Sequence, residues 1–179
     1  NLNRIDSIPA EYQNYLKDFI TDSTNYYYGA MMMRIQGRML IKQGKYQEAI
    51  DIIRKSYERN KNGNDTRGMS SSAVLLAQVY KDIGDHNSAI QFALLASDLA
   101  SRTSWLIIQI TAADLLSQLY EESGNKQKAL DYLKSYRSLK ERSEELNNNA
   151  RLVEVEIQAV LKKNKEDIEL LEKETELRA

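Results

Sequence analysis

Apolar side chains in the middle of the chain recur at i, i+1 and i+4, a spacing that places them on one face of an α-helix. Three stretches share this pattern, and each begins at an alanine. Their apolar positions are Ala49, Ile50 and Ile53, then Ala89, Ile90 and Ala93, and then Ala129, Leu130 and Leu133. Because corresponding positions lie 40 residues apart, the pattern predicts three copies of one amphipathic helix.

A glycine stands five positions before each of these alanines, at Gly44, Gly84 and Gly124. Glycine accepts the left-handed backbone conformation that ends many helices, because it has no Cβ to clash with the backbone. An earlier helix is therefore predicted to end at each glycine, and the amphipathic helix to begin just after it. Each unit is expected to be a helix, a tight turn and a second helix.

The helix before each glycine carries a small residue and, three positions later, a large one. These pairs are Gly37 with Leu40, Ala77 with Tyr80, and Ser117 with Tyr120. Residues three apart share a helix face, and the small residue leaves room for a second helix to approach closely. Tyr80 and Tyr120 are accordingly predicted to pack in the core.

The small-x-x-large pairs, the turn glycines, Tyr46 and the helix alanines resemble the tetratricopeptide repeat (TPR), over roughly residues 28–140. The resemblance implies an all-α fold, a right-handed superhelix of antiparallel helix pairs. It also implies a module that binds proteins or peptides and is not an enzyme. TPR units are typically about 34 residues long. A period of 40 therefore implies longer helices or longer links, such as the segment from Asn60 to Thr66. The family's terminal proline is missing from all three units.

The predicted organisation has three parts. Residues 1–27 form an N-terminal capping helix or partial repeat, with Ser7 near its cap and Pro9 in its first turn. Residues 28–145 form the repeats, about 28–64, 65–103 and 104–145. Residues 146–179 form a charged, coiled-coil-like helix.

The last part has apolar residues at coiled-coil spacing, interrupted at Asn164. These residues are Leu146, Val153, Ile157, Val160, Leu161, Ile168 and Leu171. Asn147–Asn149 predict a break or bend between the repeats and this helix. The pattern fits either a homodimeric coil or a long capping helix folded back on the repeats.

Few residues indicate a catalytic, metal-binding or phosphate-binding site. The chain has no cysteine, which excludes disulfides, thiolate metal sites and cysteine nucleophiles. The only histidine, His86, lies in the turn beside Asp82 and Asp85, and we expect it to be a solvated turn residue. The glycines serve as helix ends and form no phosphate-binding loop. A net charge of −1 gives no electrostatic reason to expect nucleic acid. We expect no enzyme, no cofactor and no metal.

The first helix of each hairpin is expected to line a concave groove. The residues predicted to face it are Met31, Arg34, Arg38, Ile41 and Lys42, then Ser71, Val74, Gln78, Lys81 and Asp82, and then Thr111, Asp114, Gln118, Glu121 and Glu122. In this order the groove changes from basic to neutral to acidic. We expect an extended peptide or protein segment there, its acidic or carboxylate end near Arg34 and Arg38.

Repeats followed by a charged helix are also similar to a bacterial arrangement. In it, an extracytoplasmic TPR region feeds through a coil into a transmembrane helix and then a histidine kinase or DNA-binding domain. This resemblance implies a sensory or scaffolding input domain, a periplasmic location and a membrane anchor beyond Ala179. The alternative is a cytosolic TPR adaptor or peptide receptor. Because the chain starts at Asn1 without methionine, we expect it to be processed or excised from a longer protein.

Overall fold

A computed structural model describes the backbone of residues 26–177 and the side chains of residues 28–165. Six helices occupy this part of the chain. They are α1 (Tyr26–Lys42), α2 (Tyr46–Asn62), α3 (Thr66–Asp82), α4 (His86–Arg102), α5 (Leu106–Glu122) and α6 (Lys126–Leu177). The all-α prediction is confirmed, with helices that pack in adjacent pairs. The predicted N-terminal helix around Ser7 and Pro9 lies outside the described residues.

The 40-residue period has a simple origin in helix length. Helices α1 to α5 each contain 17 residues, and three residues connect each helix to the next. Both halves of a hairpin therefore advance the chain by the same 20 positions. Two explanations were offered for the period of 40. The prediction of longer helices is confirmed, and the prediction of longer links is wrong. Asn60 belongs to α2, which ends at Asn62.

Every connection turns through one residue in the left-handed conformation. The predicted glycines have φ values of 72° at Gly44, 81° at Gly84 and 77° at Gly124. The two connections between hairpins place non-glycine residues there, Asn64 with φ 54° and Ser104 with φ 52°. Three glycine turns were predicted from the sequence, and these two further turns were not.

Backbone hydrogen bonds close all five connections in the same way. The residue after each left-handed residue donates its N–H to the carbonyl five positions earlier, at 2.8 to 2.9 Å. Lys45 bonds Leu40 in this manner, and Asn125 bonds Tyr120. This is the Schellman arrangement, which satisfies carbonyls that a helix end would otherwise leave without a partner. Five identical closures fix the direction in which each helix returns.

Side-chain caps support three of the helix starts, including that of α6, where Asn125 accepts a hydrogen bond from the N–H of Lys128 at 3.2 Å. Asp65 accepts a hydrogen bond from the N–H of Gly68 at 2.9 Å, and Asp85 accepts one from the N–H of Ser88 at 3.1 Å. Hydrogen bonds from Ser88 lower the pKa of Asp85, so this carboxylate stays ionised at the start of α4.

Helix α3 is the centre of the stack. It packs against α2 and α4, its neighbours in sequence, and it also contacts α1 and α5, the first helices of the adjacent hairpins. All its residues from Ser70 to Ala77 are buried, together with Val79 and Tyr80. Being enclosed on so many sides, α3 has more buried residues than α2, α4 or α5.

Aromatic pairs repeat with the 40-residue period. The ring of Tyr80 stacks on Phe92, with centroids 5.5 Å apart, and the ring of Tyr120 stacks on Tyr132 at the same distance. Both first members are buried, as predicted for core positions. Tyr80 also accepts a hydrogen bond from Arg54 at 2.7 Å, which connects α2 to α3.

A buried polar cluster joins the first three helices. Ser56 donates to the carbonyl of Ala30 at 2.8 Å and lies 3.1 Å from the hydroxyl of Ser72. Asn60 donates to the same Ser72 hydroxyl at 3.4 Å. Because buried hydroxyls and amides are costly without partners, this cluster fixes the register of α2 against α1 and α3.

Helix α6 runs without interruption for 52 residues. The predicted break at Asn147–Asn149 is wrong, because these residues continue the helix. The chain divides into two compact units, one ending at Leu139 and the other beginning at Lys140. In the second unit, every described side chain from Glu144 to Lys165 is exposed.

Candidate functional site: a polar strip on the first helices

Among the first helices of the hairpins, α3 contacts both α1 and α5 directly. Three positions on each, which follow the small residue by one, four and five residues, remain exposed or half-buried. We call this set the inner strip. It comprises Arg38, Ile41, Lys42, Gln78, Lys81, Asp82, Gln118, Glu121 and Glu122. All nine were predicted to face a groove.

The other six predicted groove residues lie earlier on the same helices and differ in exposure. Ser71 and Val74 on α3 are buried, with 7% and 6% of their surfaces exposed. Val74 belongs to an apolar cluster with Ala112 of α5. The half-buried residues are Met31, Arg34 and Asp114, and Thr111 is exposed. The surface open to a ligand on α3 therefore lies at the C-terminal end of that helix.

Lys81 connects the second and third hairpins. Its ammonium group donates to the amide oxygen of Gln118 and lies 3.4 Å from a carboxylate oxygen of Glu122. Gln118 in turn donates to Asp114 at 3.0 Å. These contacts link four polar side chains across α3 and α5, so the strip is held in place before any ligand arrives.

His86 adjoins the same group of residues. Its Nδ1 lies 3.3 Å from the second carboxylate oxygen of Glu122, and its side chain is nearly half exposed. Nδ1 itself is buried and makes no hydrogen bond of good geometry. The pair is therefore a contact at salt-bridge distance and not a hydrogen bond. The sequence suggested Asp82 and Asp85 as neighbours, whereas the ionic contact comes from the next hairpin.

The strip presents two amide side chains at equivalent places. Gln78 donates to Asp82 at 2.9 Å, one turn further along α3, and Gln118 makes its bond to Asp114 on α5. A side-chain amide has N–H donors and a carbonyl acceptor, so it can hydrogen-bond both the C=O and the N–H of a peptide group. Amides spaced along adjacent helices are suited to hydrogen-bonding an extended peptide backbone.

Charge along the strip is unequal. Helix α1 contributes Arg38 and Lys42, and α5 contributes Glu121 and Glu122. Because Lys81 lies beside Glu122, part of the acidic charge at the α5 end is already balanced within the protein. The strip therefore attracts anionic groups toward α1.

A cavity of about 290 Å³ lies between α5 and the start of α6. Its walls are Ser117, Glu121, Lys126, Ala129, Leu130 and Leu133. In the first hairpin the equivalents of the two leucines are Ile50 and Ile53, which are 4% and 0% exposed in the core shared with α3. Leu130 is 46% exposed. The face of the third hairpin that would contact a following repeat is thus partly open.

Neither a metal centre nor a membrane span was found in the described residues. No three of their histidine and carboxylate side chains are grouped so that they could bind a metal ion. No helix among them is both long and apolar enough to cross a bilayer.

Comparison with known proteins identifies a repeat family over part of the chain. The family model for the tetratricopeptide repeat matches residues 28–102, which include most of α1 and all of α2 to α4. The third hairpin lies beyond the match but has the same 17-residue first helix and glycine turn as the first two. No curated protein matches the chain. The tetratricopeptide repeat generally mediates protein–protein interaction and is not a catalytic module.

Proposed function

We propose that the three hairpins form a non-catalytic module that binds an extended peptide or protein segment along the inner strip. The acidic or carboxylate end of the segment lies beside Arg34 and Arg38 on α1, and the rest extends over α3 toward α5. The observation that carries this proposal is the row of exposed and half-buried amide and charged side chains on α3 and on the two first helices that contact it, α1 and α5. The repeat match over residues 28–102 supports a protein partner in general.

Physical chemistry supports this orientation of the segment. Arginine guanidinium groups bind carboxylates through two parallel hydrogen bonds, which a lysine cannot reproduce. The acidic side chains at the α5 end would repel the same carboxylate. A segment bound in the reverse direction would therefore place like charges together.

Charge reversal at the α1 end tests the proposal. The double variant Arg34→Glu, Arg38→Glu should bind an acidic peptide about tenfold or more weakly, because two attractive charges become repulsive. Its binding should also depend less on salt than that of the unaltered protein. Fluorescence anisotropy with a panel of labelled acidic peptides, each made with a free and an amidated C-terminus, measures both effects.

The matched control is Lys55→Glu, because Lys55 is exposed on α2, outside the inner strip. This variant should retain the affinity of the unaltered protein. Circular dichroism should show that all three proteins are equally folded. If the double variant binds the peptides as tightly as the control does, the strip is not the binding site.

We further propose that the module is the sensory or scaffolding input domain of a bacterial signalling protein. In this proposal α6 carries a change in the stack toward an effector domain, through a homodimer formed by the C-terminal helix. The protein is then periplasmic, with a membrane anchor beyond Ala179. What supports this is the order of the parts, with repeats followed by a long charged helix.

The alternative is a cytosolic adaptor or peptide receptor without a membrane link. Its support is the repeat match, which concerns peptide or protein binding alone. The complete gene distinguishes the two. A run of about twenty apolar residues soon after Ala179 favours the anchored sensor, and an effector domain joined directly, without that run, favours the cytosolic receptor.

A further inference from the structure

The second unit exposes a row of large apolar side chains on a single helix. Leu146, Val153, Ile157 and Val160 of α6 are between 52% and 58% exposed. They follow one another by seven, four and three positions on an uninterrupted helix. Apolar groups in such numbers are rarely left in water along one face of a helix. This row, with Ala150 and Asn164, is called the seam below.

The spacing of the seam specifies the kind of partner. Steps of three and four alternate from Leu146 through Ala150 to Asn164, which gives a period of 3.5 residues. A period of 3.5 differs from the 3.6 of a straight helix and matches a helix that supercoils around another helix. The seam therefore fits a second helix with the same period. An identical helix in a second copy of this chain has that period and is always present at equal concentration.

Asn164 decides the orientation. In a parallel, in-register pair, Asn164 faces the partner's Asn164, and the two amides can hydrogen-bond. In an antiparallel pair in which Ile157 faces the partner's Val160, Asn164 faces the partner's Val153, and its amide is buried without a hydrogen-bond partner.

Charged side chains favour the antiparallel pair, but their effect is smaller than that of Asn164. The antiparallel pair would bring Glu156 near the partner's Lys163, once on each side. Exposed ion pairs stabilise a structure only slightly. Burying an amide without a hydrogen-bond partner destabilises the pair by more than two exposed ion pairs stabilise it. Between Leu146 and Asn164, the parallel pair opposes no like charges. The positions flanking its seam pair Glu156 with the partner's Leu161 and Asn149 with the partner's Glu154. The parallel arrangement is therefore favoured.

We propose that the C-terminal helix pairs in parallel and in register with the same helix of a second copy, with Asn164 facing the partner's Asn164. The inference rests on the homodimer named under the proposed function and adds its orientation and register. It does not depend on what the inner strip binds.

Single cysteines in the full chain test the proposal cleanly, because the protein has no cysteine of its own. Leu146→Cys and Val153→Cys should each form a disulfide-linked dimer under mild oxidation. Val155→Cys is the matched control, since Val155 is similarly exposed but lies on the side of α6 away from the seam. Because pairing raises the local thiol concentration, the seam variants should cross-link at least about tenfold faster than the control.

The same experiment detects the opposite orientation. In the antiparallel pair the two copies of residue 146 would lie about 37 Å apart, at 1.5 Å per residue, and could not cross-link. Equal rates at Leu146→Cys and Val155→Cys would therefore overturn the proposal. Sedimentation equilibrium should give a dimer. A monomer at high concentration, which a folded-back helix would produce, or a trimer would also overturn it.

Asn164→Val tests the register separately. Removing the buried amides should tighten association or shift it to trimers, because a polar residue in the seam specifies the pair at a cost in stability. An unchanged association constant and stoichiometry would contradict the place of Asn164 in the seam. The variant Arg34→Glu, Arg38→Glu should cross-link through Leu146→Cys at the usual rate. Cross-linking thus tests the helix pairing alone, and peptide binding tests the inner strip alone, so failure of one proposal is distinguished from failure of the other.

Discussion

Leu76→Ala is expected to lower the free energy of unfolding by about 3 kcal/mol. Leu76 is only 1% exposed and lies near the middle of α3, in the core cluster that also contains Ile53 and Leu116 of neighbouring helices. Truncation removes apolar contacts and leaves a cavity that close-packed helices cannot fill completely. Denaturation by urea, followed by circular dichroism, measures the loss.

The matched control for this substitution is Leu94→Ala. Leu94 lies on α4 and is 39% exposed, so the same truncation should cost less than about 1 kcal/mol. Since α3 contacts all four neighbouring helices, the Leu76 variant should also unfold in a single transition of lower midpoint. Equal losses for the two variants would contradict the central position assigned to α3.

Gly37→Ala is expected to destabilise the protein by about 2 kcal/mol, although alanine is normally the better helix former. A Cβ at position 37 would lie 2.4 Å from Cγ1 of Ile53, a distance that requires one of the two helices to move. Ile53 is fully buried and is surrounded by the side chains of the core cluster, which would have to move with it. Thermal and urea denaturation of the variant measure the effect.

A double-mutant cycle isolates the cause of that loss. Ile53→Ala removes the obstructing atoms, so adding Gly37→Ala to it should cost much less than it does alone. Ser117→Ala, at the equivalent position of the third hairpin, should be nearly neutral because Ser117 already has a Cβ. Strictly additive effects of the two substitutions would show that close contact between α1 and α2 is not why Gly37 is small.

Much of the fold could be predicted because its signals are local. Gly44, Gly84 and Gly124 each mark a turn through the residue type that adopts it most cheaply. Asn64 and Ser104 make the same turn without such a marker. Asparagine tolerates the left-handed region and serine does so less often, so neither residue is diagnostic. For this reason, the sequence alone did not reveal that all the connections between these helices have the same length.

The error at Asn147–Asn149 has a related cause. Asparagine is a weaker helix former than alanine by less than about 1 kcal/mol per residue. Three of them in succession do not interrupt a helix that continues on both sides. Asparagine is a reliable signal of a helix end only where glycine or proline accompanies it.

The inner strip was predictable in outline and not in detail. Positions on the first helices followed from the repeat, but exposure depends on neighbouring helices. Val74 is buried beside Ala112, although its counterparts Arg34 and Asp114 are half-buried. The contacts of Lys81 with Gln118 and of His86 with Glu122 join residues more than thirty positions apart. A sequence pattern cannot supply such contacts.

The most direct test of the binding proposal is a footprint of a bound peptide on the protein. Amide chemical shifts should be recorded by nuclear magnetic resonance while the tightest acidic peptide of the panel is added. We predict that the changes concentrate on α1, α3 and α5 around Arg38, Gln78 and Gln118, and leave Lys55 and Leu94 on the second helices unchanged. Changes confined to α2 and α4 would contradict the account.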